Sequence, residues 1–323
     1  MSITALTSTG QQTRSINTSP RLFLNVMAWE FRRFFASRLF WFQALGLFGF
    51  LLLMTWALHS PVNIGGSCSG VCRGGGPLSG FVAGTSAGGL LHTLPIVLVV
   101  LVLLLPFITA DGVTRDVNRR THELLMTTAL PTWAYVWGRS LAGLVMSLGL
   151  ALLLLASILG MGWLLHLTIT DYPAPEIGAV LLLWTGMVVS ATVLVSSFGF
   201  ALSTLLPRLS TLVKVVILVA WIVGGVVMPL ALGGDTALPP PAWYVNWDPT
   251  SGITALGLLP SYALNLGPSI TNEAQLQQHI LTIENKMPDL AGWFAPHLLL
   301  GGASLILVLI AALAFKRSRE TLS

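Results

Sequence analysis

The stretch "LLHTLPIVLVVLVLLLPFITADGVTRDVNRR", Leu90–Arg120, sets two chemistries end to end. From Leu90 to Ala110 there is no Asp, Glu, Lys or Arg, and then Asp111, Arg115, Asp116, Arg119 and Arg120 follow in quick succession. A helix needs roughly 20 predominantly apolar residues to cross a bilayer, because lipid offers no partners to exposed backbone groups. The apolar half is therefore a membrane span. The charged half is where the chain leaves the membrane.

The rest of the chain extends this pattern. Of its 323 residues 54% are hydrophobic and only 9% charged, with a mean hydropathy of +0.81, which excludes an ordinary soluble domain. Apolar runs place spans at about Phe40–Leu58, Leu90–Ala110, within Trp133–Leu167, at Ile177–Leu206, Leu212–Leu232 and Trp293–Phe315. The fold class is thus all-α: a polytopic membrane protein with a six-span domain over 40–315. The third apolar stretch exceeds what a bilayer requires, so it either tilts or begins with an interfacial turn.

Residues 1–20 are polar, without an apolar run and cleavage site, and read as a mobile tail rather than a signal peptide. Residues 316–323 form a short basic tail. With the amino terminus inside, nearly all Lys and Arg fall on the cytoplasmic side; Arg73 and Lys286 are the exceptions. This places both ends and the charged connector in the cytoplasm. It fits a multi-pass protein of a bacterial inner membrane.

No Asp, Glu, Lys or Arg lies near the middle of a span, which disfavours an ion-coupled transporter or an intramembrane hydrolase. His92, His166 and His297 sit near span ends and read as interfacial residues. Ser190, Thr192, Ser196, Ser197, Gly199 and Ser203 recur along the fourth span, where small and hydroxylated residues let helices approach and bond across the gap.

Ahead of the first span, residues 21–39 read as an interfacial amphipathic helix. Phe23, Val26, Met27, Phe31 and Phe34 share one face, which is expected to rest on the lipid boundary, with Asn25 and Arg32 opposite. Glu30 falls on that apolar stripe. A local pair with Arg33 and a longer-range pair with Arg208 or the connector arginines are both open. The connector itself can form about three helical turns over 112–126. Val113, Val117, Leu124 and Leu125 would face the membrane, while Arg115, Asp116, Arg119, Arg120 and Glu123 would project away. Interleaved charge of this kind suits docking to a soluble partner, where it fixes register; a helix holding phospholipid headgroups is the alternative.

The segment "RTHELLMTTALPTWAYVWGRSL", Arg120–Leu141, resembles the permease signature of ABC-2 type transporters. Thr121, Glu123, Leu124, Leu125, Thr127, Thr128, Leu130 and Gly138 fit its pattern. Arg120 stands where Gly is usual, Ala129 where Pro is usual and Arg139 where Lys is usual. The segment "WEFRRFFASRLFWF" is similar to the family's amino-terminal helix, with Glu30 and Arg32 matching. The resemblance implies a coupling helix at 112–126 that sits in a cleft of a nucleotide-binding subunit. Arg115, Asp116, Arg119, Arg120, Thr121, Glu123 and Leu124 would make the joint, supported by Glu30 and Arg32.

The resemblance also implies a second permease copy or a related permease. The chain contains no G-x-x-x-x-G-K-[ST] phosphate loop. The expectation is therefore a subunit that is not itself an enzyme and has no cofactor of its own, with ATP and Mg held by a partner ATPase and no nucleic-acid partner. A membrane scaffold or assembly factor is the alternative, and a secondary transporter a weaker one.

Two outer loops are expected at about 59–89 and 233–292. The first carries the only cysteines, Cys68 and Cys72, placed where a disulfide persists. A bridge or two free thiols is favoured over a metal site, since structural zinc wants four ligands. In the second loop, Thr271 is expected to cap a helix that stops at Pro288, and the loop reads as an external gate, a docking surface or a structural cap.

Overall fold

A computed structural model describes residues 20–57, 60–64, 78–110, 132–169, 172–233, 240–262 and 272–320. The segment expected to hold the coupling helix and the loop holding Cys68 and Cys72 lie outside the described residues, as do the polar tail up to residue 19 and Thr271.

Among the described residues, six helices are long and apolar enough to cross a membrane, which makes the chain a multi-pass membrane protein. Helix α1 (Pro20–Ala36) precedes the first of them, α2 (Arg38–Ala57). The other five are α3 (Ala87–Thr109), α4 (Thr132–Thr168), α5 (Ile177–Leu205), α6 (Pro207–Leu232) and α10 (Ala291–Glu320). Between α6 and α10 lie the short helices α7 (Ala242–Trp247) and α8 (Gly252–Leu258) and the amphipathic α9 (Glu273–Glu284).

The span assignments hold to within a few residues, with differences at the ends. Helix α3 begins at Ala87 because the Ser86 hydroxyl caps it, accepting from the Gly89 N–H at 3.0 Å. The last helix does not stop at Phe315 but continues through the basic tail to Glu320. Helix α4 neither breaks nor opens with a separate turn: it is a single helix of 37 residues, about 55 Å long. One departure from an all-helical chain appears among the described residues. Strands β1 (Ser60–Ile64) and β2 (Leu78–Val82) pair antiparallel in the loop between α2 and α3, with Val62 opposite Gly80.

Helix α3 is the centre of the bundle. Of its most apolar window 61% is buried, against 17% for α6 and 22% for α10. Leu91, Leu94, Leu98, Leu101 and Leu105 all point inward, and the core around them draws on α2, α4, α5 and α6. Pro95 and Pro106 lie within α3 without ending it. Helices α5 and α6 each contain a π-helical turn, at Trp184–Val189 and Val223–Val227. In α5, Trp184 uses its turn to donate an indole hydrogen bond to the Ala151 carbonyl of α4 at 2.7 Å. In α6, the turn contains Gly224 and Gly225, and the loop after the span folds back onto them. A β-carbon at Gly224 would lie 2.6 Å from Thr250 Cγ2, and one at Gly252 would lie 2.6 Å from the Gly224 carbonyl oxygen. Only glycine permits this seat.

Candidate functional site

Helix α1 does not lay its apolar stripe on lipid. Phe23, Val26 and Phe34 face the protein, and α1 lies along the first turns of α4. Gly138 of α4 makes the approach possible, since a β-carbon there would come within 2.8 Å of Val26 Cγ1. Phe23 stacks on Trp133 of α4 with ring centroids 6.2 Å apart. The face of α1 turned away from the bundle carries Leu24, Asn25, Trp29, Arg32 and Phe35, all exposed. The stripe is apolar because it meets another helix.

That packing buries Glu30, which is 1% exposed. Its carboxylate pairs with Arg33 at 2.9 Å and with Arg139 of α4 at 2.8 Å. The local pairing is thus present, and among the described residues the long-range partner is Arg139, itself 4% exposed, rather than Arg208; the connector arginines lie outside the described residues. Two charges out of water are tolerable only with close pairing and further partners. Here the further partners are aromatic. The Arg139 guanidinium lies over the Tyr135 ring at 4.5 Å and over Trp29 at 5.3 Å, within the range of cation–π attraction. Tyr135 in turn stacks on Phe315 near the end of α10, centroids 5.9 Å apart. One cluster therefore joins α1, α4 and α10, and both ends of the described chain meet at the amino-terminal end of α4.

Of the residues expected at the joint, Glu30 lies at the middle of this cluster. Arg32 does not join it and points outward. Arg115, Asp116, Arg119, Arg120, Thr121, Glu123 and Leu124 lie outside the described residues. So do Cys68 and Cys72. Arg139 was not read as a site residue, although two signals marked it: it replaces the usual Lys, and it is an arginine two turns inside an apolar helix.

Four hydroxyls of the fourth span bond within their own helix rather than across to neighbours, and the buried Ser196 hydroxyl has no hydrogen-bond partner among the described residues. Thr192 and Thr204 donate to the carbonyls of Val188 and Phe200 one turn back, at 2.7 and 2.8 Å, and Ser190 and Ser203 do the same to Gly186 and Gly199. They satisfy themselves within α5. Gly199 nevertheless serves close packing, with Thr109 of α3 and Ile217 of α6 beside it. A groove of about 170 Å³ between α5 and α6, lined by Leu194, Val195, Phe198, Val216, Ile217, Ala220 and Trp221, has a purely apolar wall.

At the opposite end of the bundle two further buried groups hold the segments between α6 and α10. Helix α9 is capped by Asn272, whose side chain accepts from the Gln275 N–H at 2.8 Å, so the cap falls one residue after Thr271. It ends at Glu284, with Asn285 as C-cap, before Pro288 is reached. Glu284 is 7% exposed and accepts from the Ser86 hydroxyl at 2.8 Å, in space that a side chain at Gly88 would fill. Tyr262 donates to the Lys286 carbonyl at 2.7 Å. Burial, reinforced by the nearby Glu284 charge, pushes its phenol up to about 12. Burial also raises Tyr172, against the pull of its hydrogen bonds to Thr85 and Gly84.

Asp248 organises the segment that follows α7. Its carboxylate accepts from the Thr250 N–H at 2.9 Å, the Thr250 hydroxyl at 2.6 Å, the Ile253 N–H at 2.6 Å and the Thr254 N–H at 3.3 Å. The turn it closes passes through Ser251 at φ 64°, and the segment contacts α10 at His297.

The chain matches no family model, no curated protein and no solved structure.

Proposed function

We propose that the chain is the permease subunit of an ABC-2 type transporter, most simply an exporter, driven by ATP hydrolysed on a separate ATPase subunit that holds the Mg. The observation that carries the reading is the buried Glu30–Arg139 pair. It fastens the amino-terminal helix to the start of the third span, and the charged connector 112–126 enters that span a few residues earlier. A pull on the connector would pass into α4, and through Glu30 and Tyr135 into α1 and α10, as a rigid-body displacement. The segment that resembles the family's signature contains Gly138, where α1 seats, and Arg139, which stands where Lys is usual.

In this reading both ends and the connector are cytoplasmic, by the distribution of Lys and Arg. Helix α1 lies along the inner surface with Arg32 toward water and Trp29 and Phe35 toward headgroups. Residues 112–126 form the coupling helix. The weakly buried faces of α2 and α6 meet lipid or a second permease copy, and the segments after α6 cap the exit on the outer side.

The test is affinity purification from native membranes in mild detergent, with mass spectrometry of what co-purifies. The wild type should bring an ATPase bearing a phosphate loop, and Arg119→Ala and Glu123→Ala should lose it while remaining folded. Recovery of no ATPase under conditions that keep the spans intact would favour the scaffold. Substrate movement that follows an ion gradient rather than ATP would favour a secondary transporter.

A further inference from the structure

His297 sits one and a half turns into α10, 7% exposed. Its two ring nitrogens face two carbonyl oxygens: Nδ1 is 3.0 Å from the Trp293 oxygen and Nε2 is 3.1 Å from the Asp248 oxygen. A neutral imidazole has one N–H and one lone pair. Whichever tautomer it adopts, one of these contacts sets a lone pair against a carbonyl oxygen at about the distance of a hydrogen bond. Only the doubly protonated ring donates to both. The ring also lies flat on the Trp293 indole, centroids 3.3 Å apart and planes 14° from parallel, a face that attracts a cation.

The contact is also mechanical. The Asp248 carbonyl belongs to the segment that seats on Gly224 and Gly225 of α6, so His297 is where that segment is tied to α10. Asn246 reinforces the tie by lying against Gly292, where a β-carbon would come within 2.7 Å of its side-chain nitrogen.

We infer that His297 is a proton-linked latch: the protonated ring bridges Trp293 and Asp248 and holds the segment 240–262 on α10, and loss of the proton weakens the hold. Burial opposes the charge, and the two carbonyls and the indole face oppose burial. Few other groups enter the balance. Helix α5, which packs most extensively on α10, contains no ionisable residue. Helix α4 brings Tyr135 and Arg139 at its far end, and His166, whose Nδ1 is held by the Tyr172 carbonyl at 2.6 Å. Helix α7 brings Tyr244, and the Asp248 carboxylate follows it, already accepting four hydrogen bonds. The latch requires nothing of what the chain carries or what drives it.

The experiment is amide hydrogen exchange of residues 242–258 in lipid nanodiscs at pH 5.5 and 7.5, each corrected for intrinsic exchange. The wild type should exchange about tenfold more slowly at pH 5.5, the scale of one charge-assisted hydrogen bond. His297→Gln, which does not titrate, should show no difference between the two. Equal protection of the wild type at both pH values would overturn the latch, as would a His297→Gln protein that keeps the wild-type dependence. The wild-type comparison stands even where the variant folds poorly. Imidazole ¹⁵N spectra give a second reading: the resonance missing from His297→Gln should show both nitrogens protonated at pH 5.5, and a neutral ring there overturns the proposal.

Discussion

Glu30 and Arg139 illustrate the asymmetry of buried charge. Making the pair contributes little net stability, because desolvation offsets most of the attraction, but removing one member strands the other. Glu30→Gln should therefore destabilise the protein by about 3–5 kcal/mol, the cost of an uncompensated buried charge. Glu30→Leu combined with Arg139→Met should restore stability to within about 2 kcal/mol of wild type. Unfolding by steric trapping in bicelles measures both, and equal losses in the single and double variants would show that the ion pair is not what holds α1. Ser251 gives the opposite sign. Its φ of 64° lies in the left-handed region, and its buried hydroxyl has no hydrogen-bond partner among the described residues. Ser251→Gly relieves both and should stabilise by about 1 kcal/mol, read as a raised melting temperature in detergent. Tyr262 predicts a pH effect. Its pKa in the folded protein, about 12, lies above the ordinary value near 10. The stability contributed by its un-ionised phenol is thus complete below about pH 10 and lost as pH rises through 12. An absorbance titration at 295 nm should lose a step near pH 12 in Tyr262→Phe.

At the scale of elements, α1 is held by shape as much as by charge. Gly138→Val would drive a branched side chain into Val26 and should cost about 1–3 kcal/mol, as overpacking generally does. Limited proteolysis of the segment around residues 20–36 would then accelerate, while Gly149→Ala, where the structure leaves open space, should change nothing. The six long helices were legible in the sequence because each apolar run is long enough to admit no other reading. Glu30 was legible as an anomaly, a carboxylate on an apolar stripe, but its partner was not. The pairing is fixed by where α1 lies on α4, and periodicity reports which face is buried without saying what covers it. The lipid assignment of that face failed for the same reason. The π-helical turns left no mark, since their glycines look like ordinary small residues in a span, and the purpose of the one in α6 emerges only when Thr250 and Gly252 arrive from a distant loop. The hydroxyls of α5 misled because a Ser or Thr can bond its own helix as readily as its neighbour.

For the whole molecule, the uneven burial of the spans separates a packed interior from a face left over. Helices α2 and α6 present Leu39, Phe42, Leu45, Leu53, Leu212, Val216, Val219 and Leu230 outward. If a second copy covers part of this face, Val219→Cys in a Cys68→Ser/Cys72→Ser background should form an oxidant-dependent dimer in membranes. Leu98→Cys, fully buried within α3, should not. Monomer from both would assign the face to lipid. The unbroken α4 adds a consequence for movement. It has no proline and no π-helical turn along its 37 residues, so it behaves as a stiff rod that overshoots a hydrocarbon layer of about 30 Å. Pivoting such a rod by about 10° around its midpoint would swing each end through roughly 5 Å in opposite directions, given its length of about 55 Å. Arg139 and His166 ride near those two ends, so a nudge delivered on one side of the membrane arrives on the other as an equal and opposite stroke. A seesaw needs no relay of side chains through the bilayer.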